Sequence, residues 1–132
     1  YNRLYGGQLM QWIDEVAGVG ARRHSGKNVT TALVDRLRFR RPAYANDILV
    51  LAGKVTFTGR TSMEVRVRTY TEQADGSRSL INEAYAVMVA LDDTQHPTEV
   101  PGLLLETEEE RADWELARRR RDERKKASEG KA

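Results

Sequence analysis

From Gln8 to about His24, apolar residues recur at helical spacing. Leu9, Ile13, Ala17 and Gly20 share one face, flanked by Met10, Val16 and Ala21. Trp12 and Val19 widen that surface, and only Gln11, Glu15 and Arg22 form a clear polar strip. A helix this apolar is predicted to be mostly surrounded by protein. Gly18 and Gly20 would weaken an exposed helix, so close packing on a sheet or a partner helix is expected. Ser25-Gly26-Lys27-Asn28 ends the element.

The period then changes from helix to strand. Val29 to Phe39 alternates, with Val29, Thr31, Leu33, Asp35, Leu37 and Phe39 on one face and Arg36, Arg38 and Arg40 on the other. After a turn at Pro42 and Asn46-Asp47, Ile48 to Phe57 forms a second strand. Thr58-Gly59-Arg60 turns into a third, Ser62 to Tyr70. Ala74-Asp75-Gly76-Ser77 is a hairpin signal. Leu80 to Leu91 is long and apolar, which places it centrally in the sheet. Asp92 to Pro97 is a loop, and Thr98 to Leu105 is extended, broken by Pro101-Gly102. Thr107 and Glu110 have capping-box spacing, predicting a helix from Glu108 to about Lys126, acidic at its start and basic at its end. The pattern is one buried helix, four strands in meander and an exposed C-terminal helix, an α+β arrangement.

Composition narrows the chemistry. The 132 residues fit one core. No apolar run approaches the roughly 20 residues of a membrane span, and no charged-then-apolar leader is seen, so membrane association and secretion are not expected. Cysteine is absent, which removes disulfides and a thiol nucleophile and fits a cytoplasmic location. Two histidines, His24 and His96, are too few for a multi-histidine metal centre. His24 is expected to cap the helix C-terminal end. No metal is expected. With 22 basic against 20 acidic residues, a global nucleic-acid footprint is not indicated. Seven basic residues between Arg118 and Lys126 stand against Asp122 and Glu123. They read as a solvated helix end or as help in attracting phosphate groups. Nucleic-acid binding lacks the aromatic interleaving that stacking requires. The chain starts at Tyr1 rather than Met, so further residues upstream are expected.

The run Tyr5-Gly6-Gly7-Gln8-Leu9-Met10-Gln11-Trp12-Ile13-Asp14-Glu15-Val16-Ala17-Gly18 resembles the start of the central helix of hotdog-fold acyl-CoA thioester hydrolases. Four later pieces fit the same family in order: Val29-Thr30-Thr31-Ala32 leading to Asp35 and Phe39, then Gly59-Arg60-Thr61-Ser62-Met63, then Val87-Met88-Val89-Ala90-Leu91-Asp92, then Val100-Pro101. The resemblance implies a hotdog fold, an antiparallel sheet wrapped around one long helix. Residues 1–105 would form the thioesterase domain, with its N-terminal strand upstream of the chain start. Residues 106–132 would form a charged C-terminal helix and basic tail.

Asp14 sits at the edge of the apolar helix face, beside Met10, Ala17, Gly18 and Ala21. A partly desolvated carboxylate there suits general-base work, and equally a structural pairing with an arginine. The family resemblance implies catalysis, either activation of water or direct attack on the thioester. Gly6 and Gly7 precede the helix, where unpaired backbone N–H groups could polarise the thioester carbonyl. The family pairs its helix Asp with an Asn seven residues before the first glycine, a position that precedes Tyr1. Asn2 is nearby but matches a neighbouring family position, and it is kept as a lesser catalytic candidate. Arg60, Thr61 and Ser62 form a basic, hydroxyl-bearing turn able to hold phosphates or the pantetheine arm of CoA, or to serve as an ordinary turn. Asp35 is expected to be structural, paired with an arginine or a backbone donor.

A sheet curled round one helix leaves an edge strand and a helix flank uncovered. The resemblance implies a homodimer, often assembled into a hexamer, with the glycine turn of one subunit facing Asp14 of the other. The implied partner is acyl-CoA. No cofactor is implied, since CoA is part of the substrate. Three rivals stay open: an acyl-CoA sensor without turnover, a dehydratase on acyl thioesters, which would want a histidine, and a nucleic-acid-associated protein acting through its tail.

Overall fold

A computed structural model of the chain describes residues 6–44 and 46–129. The elements are α1 (Gly6–Ser25), β1 (Asn28–Phe39), β2 (Ile48–Thr58), β3 (Ser62–Glu72), β4 (Arg78–Leu91) and α2 (Glu108–Glu129). The helix–strand alternation read from the sequence is met throughout, with ends shifted by a few residues. Gly26 ends α1 in the left-handed region (φ 69°), its N–H donating to the Arg22 carbonyl at 2.8 Å. The capping box forms as expected: Thr107 Oγ1 accepts from Glu110 N at 3.0 Å, and Glu110 Oε1 accepts from Thr107 N at 3.1 Å.

The sheet is antiparallel with strand order β1-β4-β3-β2. This corrects the four-strand meander. Only β2, β3 and β4 follow one another across the sheet; β1 joins beside β4, at the far edge from β2. The central place expected for the last strand is met, because β4 lies between β1 and β3.

One face of the sheet carries α1. Leu9, Ile13, Ala17 and Ala21, spaced four apart, are fully buried against Met63, Val65 and Val67 of β3 and Ala84, Ala86, Met88 and Ala90 of β4. Three alanines among those four β4 positions let the helix sit close to the sheet. The stripe steps to Ala21 rather than to the expected Gly20. Burial of α1 is one-sided: Met10 and Val19 remain 44% and 47% exposed. The helix presses on β2 at Gly53, where an added Cβ would lie 2.9 Å from Val16 Cγ1. Gly53→Val is therefore expected to destabilise the fold by about 1–3 kcal/mol through overpacking. Urea titration checks this, since a midpoint equal to wild type would show that α1 does not press on β2 there.

A bulge in β1 corrects the expected faces of that strand. Thr31 pairs with Met88 and Leu33 with Val87, so Ala32 is an extra residue and the alternation inverts after it. Val29, Thr31 and Val34 share the α1 side through their partners Ala90, Met88 and Ala86, whereas Leu33 and Asp35 turn to the outer face. The side chains of Arg36, Leu37 and Arg38 lie outside the described residues.

The outer face carries α2, whose inner side is not solvated as expected. Ala117 is fully buried, and Trp114 meets Phe57 with ring centroids 5.1 Å apart. Beneath the helix lies Glu64, its side chain 3% exposed. Its carboxylate accepts from Arg120 (2.7 and 3.0 Å), Arg124 (2.8 Å) and Thr56 Oγ1 (2.6 Å). Arg124 also reaches Asp35 at 3.1 Å, as the expected structural role for that residue required. Arg120 stacks over the Tyr85 ring at 3.8 Å. Arg66–Asp113 and Lys54–Glu110 ion pairs complete the contact. Arg121 lies over the Phe57 ring at 5.1 Å, so three of the seven basic residues near the chain end, Arg120, Arg121 and Arg124, serve the packing of α2.

Candidate active site

Asp14 follows the buried Ile13 by one position, which turns its side chain from the core to the flank of α1 beside β1. Asp14, Gly18 and Arg22 stand four apart and line one wall of an open cavity of about 500 Å³. Glu15 and Val19 of α1, Asn28, Val29 and Thr31 of β1, Met88 and Leu91 of β4, and Gln95 from the following loop supply the rest of the lining. The site thus joins the Asp14 and Glu15 carboxylates, the Thr31 hydroxyl and the Arg22 guanidinium with an apolar patch of Val29, Met88 and Leu91.

Thr31 Oγ1 donates to Asp14 Oδ1 at 2.5 Å. Thr31 is held by its pairing with Met88, one residue before the Ala32 bulge. Among the described residues it is the one hydrogen-bond donor to Asp14, so the second carboxylate oxygen stays available to a water or a substrate group. In the sequence Thr31 falls in a family-like run and on the face of Val29, with no role implied for it. The signal was present: α1 and β1 are consecutive, and a hydroxyl on the strand face turned to the helix can reach a flank residue.

The other candidates are more dispersed. Gly6 and Gly7 open α1. No acidic side chain occupies its first turn, which leaves the backbone N–H groups without a local carboxylate there. Gly7 stands about 10 Å along the helix axis from Asp14, so within one chain the two cannot address the same carbonyl group. Asn2 lies outside the described residues. Arg60, Thr61 and Ser62 form the β2–β3 turn at the end of the sheet. There the Arg60 carbonyl accepts from Val100 N at 2.9 Å, the Thr61 carbonyl from Ala90 N at 2.9 Å, and the Ser62 carbonyl from Gly59 N at 2.8 Å. None of the three lines the Asp14 cavity.

Neither histidine lines that cavity. His24 does not cap its own helix: its Nε2 donates to the Pro101 carbonyl at 2.8 Å, tying the segment after β4 to the end of α1. His96 Nδ1 lies 2.8 Å from Thr94 Oγ1 in the Asp92–Pro97 loop. In that loop the His96 and Thr94 donors hold the exposed Asp92 carboxyl below its ordinary range. Among the described residues, no helix is long and apolar enough to cross a membrane.

Comparison with known proteins places this geometry. Residues 1–76 match the model of the thioesterase superfamily. A Bacillus subtilis protein described as an uncharacterized acyl-CoA thioester hydrolase is 38% identical over 126 residues, 95% of this chain and 73% of its own length. A crystal structure of an apo-hexameric acyl-CoA thioesterase superposes with a TM-score of 0.90 at 40% identity, covering 96% of this chain and 82% of that one. An acyl-CoA hydrolase from Staphylococcus aureus, solved with butyryl coenzyme A, coenzyme A and coenzyme A disulfide, superposes with a TM-score of 0.92 at 34% identity over 98% of this chain and 80% of that one. Alanine variants of that enzyme at an asparagine, an aspartate and a threonine have also been solved. The chain belongs to the thioesterase superfamily, with the hotdog architecture of its acyl-CoA thioesterase members.

Proposed function

We propose that this protein hydrolyses the thioester bond of acyl-CoA, with Asp14 as general base. The observation that carries this reading is the 2.5 Å hydrogen bond from Thr31 to Asp14 in the wall of an open cavity that also holds the apolar Val29, Met88 and Leu91. Spacing supports it. The aspartate and threonine replaced in the S. aureus enzyme stand seventeen positions apart, as Asp14 and Thr31 do here. The asparagine replaced there stands fifteen before the aspartate, which in this numbering precedes Tyr1.

Thr31 fixes one carboxylate oxygen, and the other takes a proton from a water as that water attacks the thioester carbonyl carbon. The new C–O bond forms and negative charge develops on the carbonyl oxygen. As that charge returns, the C–S bond breaks, and the proton held by Asp14 passes to the departing CoA sulfur. Backbone N–H groups at the start of α1, at Gly6 and Gly7, suit the developing oxyanion. Because they stand about 10 Å from Asp14 within one chain, the pair that acts together comes from two copies. The free edge of β1, with Leu33 and Phe39 38% and 48% exposed, and the uncovered Val19 on α1 are the surfaces on which a second copy closes the site. Further assembly to a hexamer, and a cytoplasmic location, belong to the same proposal.

Release of free CoA from a panel of acyl-CoAs, short to long, tests the function. Acyl-CoA bound but left intact at every chain length would turn the reading to a sensor. Within the same assay, Thr31→Ala is expected to lower kcat about tenfold or more, because a hydrogen bond to a charged group contributes about 1.5–3 kcal/mol. Thr31→Ser, which keeps the donor, is expected to recover most of that loss. Equal rates for Ala and wild type would remove Thr31 from the mechanism.

A further inference from the structure

We propose that Gln95 is a substrate-contacting residue that recognises the amide-bearing pantetheine arm of the thioester's CoA portion. This rests on the acyl-CoA reading given above. Gln95 lines the same cavity as Asp14 and Thr31 but comes from the loop after β4, so it approaches from another side than the catalytic pair.

Its backbone is held in an uncommon conformation. At φ 67° it is the one non-glycine residue with positive φ among the described residues. Glycine would occupy that conformation without strain, whereas any side chain there is disfavoured. The surrounding loop imposes it. Gln95 N donates to the Asp92 carbonyl at 3.0 Å, and Asp92 N donates to the His96 carbonyl at 2.9 Å. Asp92 Oδ1 accepts from Thr94 N at 2.8 Å, Thr94 Oγ1 at 2.7 Å and His96 N at 3.0 Å. A bridge between Leu91 and Pro97 closes the base of the loop. The fold therefore presents a long polar side chain at a position where it contributes nothing to the turn.

That side chain has no hydrogen-bonding partner among the described residues, and the residue is exposed. A primary amide offers two donors and one acceptor. A secondary amide, with one N–H and one carbonyl, can satisfy both functions at once. An acyl-CoA thioester whose carbonyl reaches Asp14 carries two secondary amides in the arm leading away from sulfur. Gln95, on the wall of the cavity, meets that arm rather than the acyl chain, for which the apolar Val29, Met88 and Leu91 are the better match.

The test compares wild type with Gln95→Gly. Three readouts are taken: kcat and KM on an acyl-CoA, the same on the ethanethiol ester of that acyl group, which has no amide, and the calorimetric Kd of CoA. KM for acyl-CoA and Kd for CoA are expected to rise about three- to tenfold, as loss of one or two neutral hydrogen bonds implies, with kcat changed by less than about twofold. The ethanethiol ester is expected to show no difference, and the melting temperature is expected not to fall, since the variant relieves the backbone. Unchanged KM and Kd on the CoA compounds would overturn the role of Gln95 while leaving hydrolysis standing, as would an equal loss on the ethanethiol ester. If wild type binds CoA without cleaving any acyl-CoA, the hydrolytic reading falls, and weaker CoA binding by Gln95→Gly still supports the amide contact. Absence of CoA binding by wild type overturns both.

Discussion

Asp14→Asn is expected to lower kcat/KM for acyl-CoA by about 10²–10⁴-fold, the range associated with a positioned general base. The substitution is nearly isosteric. Asn keeps a carbonyl oxygen able to accept from Thr31 Oγ1, so the local geometry has no reason to change. What it removes is the capacity to take a proton from water. Asp14 is half-buried on the flank of α1 and contributes nothing to the packed stripe of Leu9, Ile13, Ala17 and Ala21, so the melting temperature is expected to stay near wild type. A folded Asp14→Asn protein with wild-type turnover would remove Asp14 from the mechanism. Loss of fold together with loss of activity would show that the residue is structural.

The largest effect on stability is expected at Glu64. Glu64→Ala leaves Arg120, its side chain 11% exposed, without its carboxylate under α2, and leaves Arg124, 19% exposed, with Asp35 alone. Breaking a buried pair in this way costs about 3–5 kcal/mol, a fall in melting temperature of about 10 °C or more. Replacing all three by apolar residues of similar size should recover much of the loss, because the desolvation cost disappears with the charges. The same network sets an acid limit. Burial alone would push the Glu64 carboxyl up, but hydrogen bonds from Arg120, Thr56 and Arg124 outweigh it and hold the group below its ordinary 4.5. At Glu83, burial is likewise outweighed by Arg68 and Tyr85. Carboxyls lowered in the folded state contribute stability above their unfolded pKa and lose it as pH falls through the folded value. Urea midpoints should therefore hold from neutral pH down to about 5 and decline below about 4.5. For Glu64→Ala the decline should be shallower, and an unchanged slope would show that Glu64 does not set it.

Much of this was legible along the chain because it is local. The capping box at Thr107 and Glu110, the Gly26 stop and the apolar stripe of α1 depend on neighbours three or four residues away. The position of Asp14 at the edge of that stripe follows from the same period. What was not legible depends on non-local pairing. The Ala32 bulge inverts the faces of β1, and no alternation count contains it; only pairing with β4 reveals that Thr31 and Val34 share a face. The placing of β1 beside β4 rather than β2 likewise needs the sheet. The basic run near the chain end read as solvated because its anionic partners, Glu64 and Asp35, lie 56 or more residues away. Thr31 was visible as a residue and invisible as a partner, since its role exists only where α1 and β1 face each other.

The most direct test of the central claim is single-turnover cleavage of an acyl-CoA in ¹⁸O-labelled water, followed by mass analysis of the acid and of the peptide that contains Asp14. Water activation by Asp14 predicts free CoA and one labelled oxygen in the acid, with the Asp14 peptide unlabelled. Label on Asp14 would make the carboxylate a nucleophile instead of a base, and an acyl-CoA that stays bound and intact would contradict hydrolysis altogether.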